Sequence, residues 1–471
     1  MINLRQTIGI SFRDLELGVF QKLQEMFVKV MQDVLKELDA VVFRLRKKSR
    51  YQVKDVRSGC VPTLLGDVEY TRRYYLDKKT GEYVFLLDEV LGVEAGRVSP
   101  GLALAAAMQA VIGPSYRSAR DSLKRLYGHQ VASHETIRQL ILRLGELVEK
   151  EEEKKREEAN GTRKVPVLFV EADGYWLSMQ KDKRRKRELR MMVTHEGWKA
   201  RTPSSKEYEL VQKTHYLDLD SKDFWEEASR HIYSRYDIDE KTMVVINGDR
   251  ASWIRKGVEY FPKAIYQVDR FHIKRDLRRL LHGTKELKAS LRAVDEGDIK
   301  TLIGSLTEVR DRAKMRVEDL KLFVQLGDLI QSIRQMPEAY ADYRVRLTQM
   351  GYDTTRMRGM GAAESNVDRF SNRLKKRGQS WSVQGLKAMA QSLVKYFEGK
   401  LEHYSKHISR IHSFLDDAEI SEKAASVARQ ITGEITGTKQ TNVPIMHAGT
   451  TRSGGLSNLF RNLSRDRLLT T

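Results

Sequence analysis

The chain has 471 residues, 84 of them Lys or Arg against 64 Asp or Glu, a formal net charge of +20 at pH 7. With 40% hydrophobic and 31% charged residues it is neither a wholly disordered chain nor a membrane bundle, and its length predicts two to four domains. The single cysteine, Cys60, excludes an internal disulfide and a CxxC zinc site.

The first residues lack the pattern of a signal peptide, so a cytoplasmic protein is expected, and the charge excess points to a polyanion partner. From Ser11, apolar residues at Phe20, Leu23, Phe27, Val30, Val34, Leu38, Val41 and Leu45 recur at three- and four-residue steps. They predict an amphipathic helix over 12–46, opened by a capping box of Ser11 and Asp14, in an N-terminal region 1–57 suited to oligomerisation or to packing within the chain. Across 58–98 the period changes: VEYTRRYYL and EYVFLLDEV flank LDKKTG, which predicts a β-hairpin whose turn ends in Gly81.

Ser99-Pro100 and Pro114-Ser115 open two helices, the second stopping at Gly128, and Ser133 opens a third. Helices joined by a Gly-containing turn, with a polar, basic start, outline a helix-turn-helix over 99–148. Arg117, Arg120, His134, Thr136 and Arg138 would then lie near DNA phosphates and base edges; a helical bundle with a solvated basic face is the competing reading. The charge run EKEEEKKREE, 149–158, reads as a solvated helix in a linker over 149–163.

Residues 164–282 show three strand patterns followed by alternating helix and strand, with Ser221 as a helix N-cap, which predicts an α/β or mixed sheet. Helices dominate 283–355, as if inserted. In 356–432 helices are expected at 362–377 and from 383 to about 431, ahead of a Gly-, Thr-, Ser- and Arg-rich tail over 433–471. The fold class is therefore α+β and multidomain.

Asp173, in FVEADGYW, and Asp249, in VVINGDRAS, stand inside or at the end of strongly apolar strands. A carboxylate there is costly unless it is paired or binds a cation, although Asp249 also suits an Asx-turn or N-cap. Glu364 opens a basic helix, where its alternative role is to complement the helix dipole. Three carboxylates from separate elements suit two hard ions, Mg²⁺ or Mn²⁺, which can activate a water or 3′-hydroxyl and stabilise the leaving oxygen of a phosphodiester.

VEADGYWLSMQ, MMVTHEGW, INGDRASWI, YQVDRFHIKRDLRR and GMGAAESNVDRFSNRLKKRGQSW, in this order, strongly resemble the Lre-type bacterial insertion-sequence transposase family. That family was long described as an uncharacterised protein family and is related to the Mutator-like DDE transposases. The hairpin with SPGLA and SYRSA…SHETIR resembles the same family's N-terminal half, so the likeness covers nearly the whole chain. It implies an RNase H-like catalytic core interrupted by an all-helical insertion, with Asp173 on the first strand, Asp249 after the fourth and Glu364 on a helix beyond the insertion. A Cys-or-Asp, two residues, His signature of the Mutator-like group matches Asp269 and His272 as auxiliary active-site residues; a helix-start histidine bonded to Asp269 is the alternative. Asp368 is the rival to Glu364, and Glu171 the rival to Asp173 or a supporting group behind it.

Three basic segments flank these acids: Lys181, Lys183, Arg184, Arg185, Lys186 and Arg187 after the first strand, Lys274, Arg275, Arg278 and Arg279 on one helix, and Arg369, Arg373, Lys376 and Arg377 after Glu364. Each is a solvated face or a phosphate track; together they suggest salt-dependent DNA binding. Trp381 suits stacking on a flipped base or core packing.

The resulting expectation is an insertion-sequence transposase that binds terminal repeats and target DNA as double-stranded partners, cleaves and joins strands with two Mg²⁺ or Mn²⁺ ions, acts as a dimer or higher assembly and associates with the nucleoid when bound to DNA. The alternatives are an inactive or domesticated helix-turn-helix DNA-binding protein and an RNase H-like metal-dependent nuclease or resolvase.

Overall fold

The computed structural model describes residues 11–93, 96–158, 160–203, 205–219, 223–314 and 317–408. It is a mixed α+β structure that divides into two compact units, residues 1–105, 120–133 and 406–471 in the first and 106–119 and 134–405 in the second.

The first unit begins with α1 (Phe12–Leu45). The expected capping box is present: the Ser11 hydroxyl accepts from the Asp14 amide at 3.2 Å, and the Asp14 carboxylate accepts from the Ser11 amide at 2.9 Å. The C-terminal half of α1 buries Leu35, Leu38 and Val42 against Val61, Val68, Tyr70 and Tyr75 of a long hairpin. That hairpin differs from the one expected. Strand β1 (Tyr51–Thr63) pairs antiparallel with β2 (Gly66–Asp77), starting inside the region assigned to the N-terminal helix. The LDKKTG turn does join β2 to β3 (Tyr83–Val84), but β3 has two residues, and LLDEVL forms a helix, α2 (Leu86–Leu91). The helix is held by Asp88, which is buried and accepts from Arg72 Nε and Tyr70 Oη, both at 2.7 Å.

Helices α3 (Pro100–Ile112) and α4 (Tyr116–Tyr127) start where their prolines predict, and the division between the units runs through both. Helix α5 (His134–Glu158) continues through the charge run taken for a linker. The run is not all solvated: Glu152 is buried, accepting from Lys395 Nζ at 2.9 Å and Arg235 Nη2 at 2.9 Å, a network that draws the helix into the second unit. Higher on α5, Gly145 lies against Ala388, where an added Cβ would meet the Ala388 Cα and Cβ at 2.5 Å.

The centre of the second unit is a five-stranded sheet built from β4 (Val167–Ser178), β5 (Lys186–His195), β8 (Thr214–Leu219), β9 (Met243–Gly248) and β10 (Ala264–Val268), in the order β10-β9-β4-β5-β8. The first three run antiparallel; β9 and β10 run parallel to β4. A two-stranded ribbon, β6 (Trp198–Ala200) with β7 (Tyr208–Leu210), lies between β5 and β8 in the chain.

Alternation gives the sheet two faces. One is apolar from end to end: Leu168, Val170, Ala172, Val244, Ile246, Tyr266 and Val268 pack with α6 (Phe224–Tyr233) and α7 (Ser252–Arg255). The same core continues through α8 (Arg270–Leu280) into Val294, Leu302, Leu306, Leu326 and Ile330 of the inserted helices α9 (Glu286–Glu296), α10 (Ile299–Ala313) and α11 (Leu320–Gln335). The other face starts apolar, with Val167, Phe169, Met243, Val245 and Ile265 packed by Tyr343 and Leu347 of α13 (Tyr343–Gln349), and then turns polar; α12 (Pro337–Tyr340) instead adds Ala339 and Tyr340 to the first core.

After the insertion come α14 (Ala362–Leu374), α15 (Val383–Phe397) and α16 (Leu401–Ile408). Ser221, the helices expected over 409–431 and the tail over 433–471 lie outside the described residues.

Candidate functional site

The polar end of the second sheet face is set by register. Glu171 pairs with Asn247, and Asn247 with Gln267, so three neighbouring strands change from apolar to polar at one level. Beyond the last matched level, Ala172 with Gly248 and Gly248 with Val268, come Asp173, Asp249 and Asp269.

Glu171 is fully buried, and both its oxygens are engaged. Oε1 accepts from His195 Nε2 at 3.2 Å; Oε2 accepts from Asn247 Nδ2 at 3.3 Å and from the backbone amides of Ala362 and Ala363 at 2.7 and 3.3 Å. The His195 tautomer follows, because Gly197 N–H donates to its Nδ1 at 3.2 Å and leaves the proton on Nε2. Glu171 thus serves the open N-terminus of α14, where exposed amides and the helix dipole favour an anion. It supports the helix that carries Glu364 and does not compete with Asp173.

Asn247 also donates to Asp269 Oδ2 at 3.0 Å. Asp269 caps α8 by accepting from the Phe271 amide at 2.7 Å, which fixes the turn presenting His272. Burial, with the Glu171 carboxylate adding to it, pushes the Asp269 carboxyl above its ordinary range. The Asp269–His272 hydrogen bond that was the alternative reading is not made: Asp269 bonds the Phe271 amide and Asn247, and the His272 Nε2 lies toward Asp173 and Glu364.

His272 Nε2 lies 3.9 Å from Asp173 Oδ2 and 3.8 Å from Glu364 Oε2. One ligand-type atom from each of Asp173, His272 and Glu364 falls within 4.8 Å of the others. Asp173 is 6% exposed, and burial lifts its carboxyl to about 6; the Asp249 and Glu364 carboxylates act in the same sense, while His272 and the Gly174 amide oppose it. Asp249 is half-buried at the end of β9 and accepts from the Ala251 amide at 2.8 Å, the Asx-turn geometry that was its alternative role. Asp368 pairs with Lys376 on an exposed part of α14, so Glu364 is the acid that faces the site.

The basic segments divide by exposure. Lys183, Arg184 and Arg185 in the turn after β4 and Lys186 at the start of β5 are exposed, and Lys181, Asp182, Lys183, Arg184 and Arg187 line an open concavity of about 460 Å³; Arg187 is ion-paired with Asp182 at 2.9 Å. On α8, Arg275, Arg278 and Arg279 are exposed, while Lys274 pairs with Asp295. Arg369, Lys376 and Arg377 are exposed, but Arg373 is not available to a phosphate: it is buried, and its Nε donates to Ala110 O at 3.0 Å. Trp381 is also interior, donating from Nε1 to Leu374 O at 2.8 Å, as core packing predicts. Of the helix-turn-helix candidates, Arg117 is exposed and His134 and Thr136 half-buried; Arg120 pairs with Asp121 and Arg138 with Glu135, each at 2.7 Å.

His195, Asn247 and Gln267 were not anticipated from the sequence. Their signal was a polar residue at an inward position of an otherwise apolar strand.

The chain belongs to the Uncharacterised protein family (UPF0236), whose model matches residues 5–410. A UPF0236 protein of Streptococcus gallolyticus, named for its place in the vanSb 3′ region, is 26% identical over 416 residues, 87% of this chain and 88% of the relative. A UPF0236 protein of Caldanaerobacter subterraneus subsp. tengcongensis is 24% identical over 392 residues, 81% of this chain and 78% of the relative. Another from that organism, whose name joins eleven locus labels, is 23% identical over 392 residues, 81% and 77% of the two chains.

Proposed function

We propose that this chain is a DDE-type DNA transposase that binds the ends of its own element and catalyses metal-dependent strand cleavage and joining. The carrying observation is the convergence of Asp173 and Glu364, from elements on opposite sides of the helical insertion, beside the strand end that bears Asp249. The RNase H-like reading is supported by three antiparallel strands followed by two parallel ones, with acids on the first strand, after the fourth and on a later helix.

The donor set fits divalent cations. Asp173 is a carboxyl whose ionised form is disfavoured by burial, a cost that a bound cation relieves, and Asp249 and Glu364 add oxygen donors. A pair of Mg²⁺ or Mn²⁺ ions bound there would supply activation of a water or 3′-hydroxyl and neutralisation of the leaving oxygen. The protein's own part is to hold the acids at fixed spacing through Glu171 and Asn247 and to bind the phosphate backbone with the basic turn, α8 and the end of α14. The helix-turn-helix over 99–148 would read the element's ends, and the need to bring two ends together favours a dimer or larger assembly. A relative named for eleven loci in one organism is what a mobile gene would produce. Among the described residues no helix is long and apolar enough to cross a membrane.

The test is incubation of the full chain with DNA from both flanks of its gene and Mg²⁺ or Mn²⁺. New 3′-hydroxyl ends and joined products, absent with EDTA, are expected. Binding without cleavage would indicate a regulator, and hydrolysis without joining a nuclease.

A further inference from the structure

The sequence resemblance makes His272 an auxiliary active-site residue without a stated chemical part, and its imidazole points into the acid cluster. We propose that His272 is itself a cation ligand through Nε2, with Asp173 and Glu364, so that this position is a mixed nitrogen–oxygen site that takes a first-row transition ion such as Mn²⁺ or Co²⁺ in preference to Mg²⁺. The inference deepens the catalytic reading above and rests on it for its purpose, though not for its geometry.

Distance is the first argument. The 3.8 and 3.9 Å separations from Nε2 to the two carboxylate oxygens are too long for hydrogen bonds. Two ligands each about 2.1 Å from one ion lie roughly 3.0 Å apart at a right angle and about 4.2 Å apart when opposite, so both separations suit a shared ion. The cluster as a whole spans up to 4.8 Å, and Glu364, with a 37% exposed side chain, has room to close the remaining fraction of an ångström.

Fixation is the second. Asp269 caps α8 at the Phe271 amide and is tied to β9 by Asn247, so the backbone bearing His272 is held from two sides. Glu171 holds the first turn of α14, which bears Glu364, through two amides. Asp173 is held by the strand itself and by the bond from the Gly174 amide to its Oδ1 at 2.7 Å, which leaves Oδ2 toward the imidazole. The Nδ1 of His272 is buried and has no hydrogen-bond partner among the described residues, so the ring is positioned by its backbone and packing and not by the outer hydrogen bond that usually orients a metal-binding imidazole.

Chemistry is the third. A single imidazole among carboxylates disfavours Mg²⁺, which demands an oxygen shell, and moves preference along the transition series. Asp249, one strand over, remains for an all-oxygen position.

The decisive experiment is pulsed EPR of the full chain, without a histidine tag, loaded with Mn²⁺ alone. A ¹⁴N coupling characteristic of bound imidazole is expected, absent in His272→Asn, together with a loss of Mn²⁺-over-Mg²⁺ preference of at least about 10-fold in competition titrations. Mn²⁺ bound in the wild type without imidazole coupling would overturn the inference and leave the catalytic reading standing. Coupling that persists in His272→Asn would overturn it by assigning the nitrogen elsewhere. Imidazole coupling lost with His272, in a protein that neither cuts nor joins DNA, would uphold the inference and sink the catalytic reading instead. No Mn²⁺ binding at all would overturn both.

Discussion

The two faces of the central sheet are made by the same strands and do different work. Val170, Ile246 and Val268 point into an apolar core that runs on into the inserted helices, whereas Glu171, Asn247 and Gln267, one residue away on each strand, point into a buried polar layer. The apolar face supplies the stability that allows the polar face to keep several ionisable groups out of water, an arrangement that is costly unless each group has partners.

Substitution on each face sharpens this contrast. The largest effect on folding is expected at Ile246→Ala on the apolar face, with a loss of about 2–5 kcal/mol in urea denaturation and unchanged cleavage per folded molecule. Asp173→Asn on the polar face should act in the opposite sense. Burial raises its carboxyl from 3.8 to about 6, so the metal-free protein bears no charge penalty there below about pH 4, accumulates it as pH rises toward 6 and carries all of it above. At ~1.4 kcal/mol per pKa unit the substitution should stabilise the EDTA-treated protein by up to about 3 kcal/mol at pH 8 and by nearly nothing at pH 4.

Glu171→Gln tests the supporting layer. The amide that replaces one oxygen offers a donor where His195, Asn247 or the α14 amides already donate, and a cost of about 1–3 kcal/mol is expected, with hydrogen-exchange protection lost first over 362–366. The smallest effect on folding belongs to Lys183→Ala with Arg185→Ala, both exposed: within about 0.5 kcal/mol of wild type. In DNA-binding titrations the same pair should lower the slope of log affinity against log salt by about 2.

Legibility in the sequence followed how local each signal is. Acids in apolar strands, Asp173 and Asp249, stand out because alternation alone forbids them, and Ser11 with Asp14 marks a helix start at fixed spacing. Asn247 sits in the same VVING run as Asp249, but its role depends on the neighbouring strands that place Glu171 and Asp269 beside it. The β1–β2 hairpin has little local signal because its turn, Leu64-Leu65, carries none of the usual turn residues before Gly66. The run at 149–158 misled because the partners of Glu152, Arg235 and Lys395, are remote in the chain. Arg373 reads like its basic neighbours and is buried only because residues near 110 pack on α14.

The central claim is that the polar end of this sheet is where DNA strands are cut and joined. Single-turnover cleavage of end-containing DNA by Asp173→Asn, Asp249→Asn and Glu364→Gln, beside the wild type, tests it most directly. Each variant should still bind the DNA and fold, with cleavage reduced on the order of 10³-fold or more, as for members of one catalytic unit. Wild-type cleavage in any of the three would contradict the assignment of that acid, and in all three the account of the site as a whole.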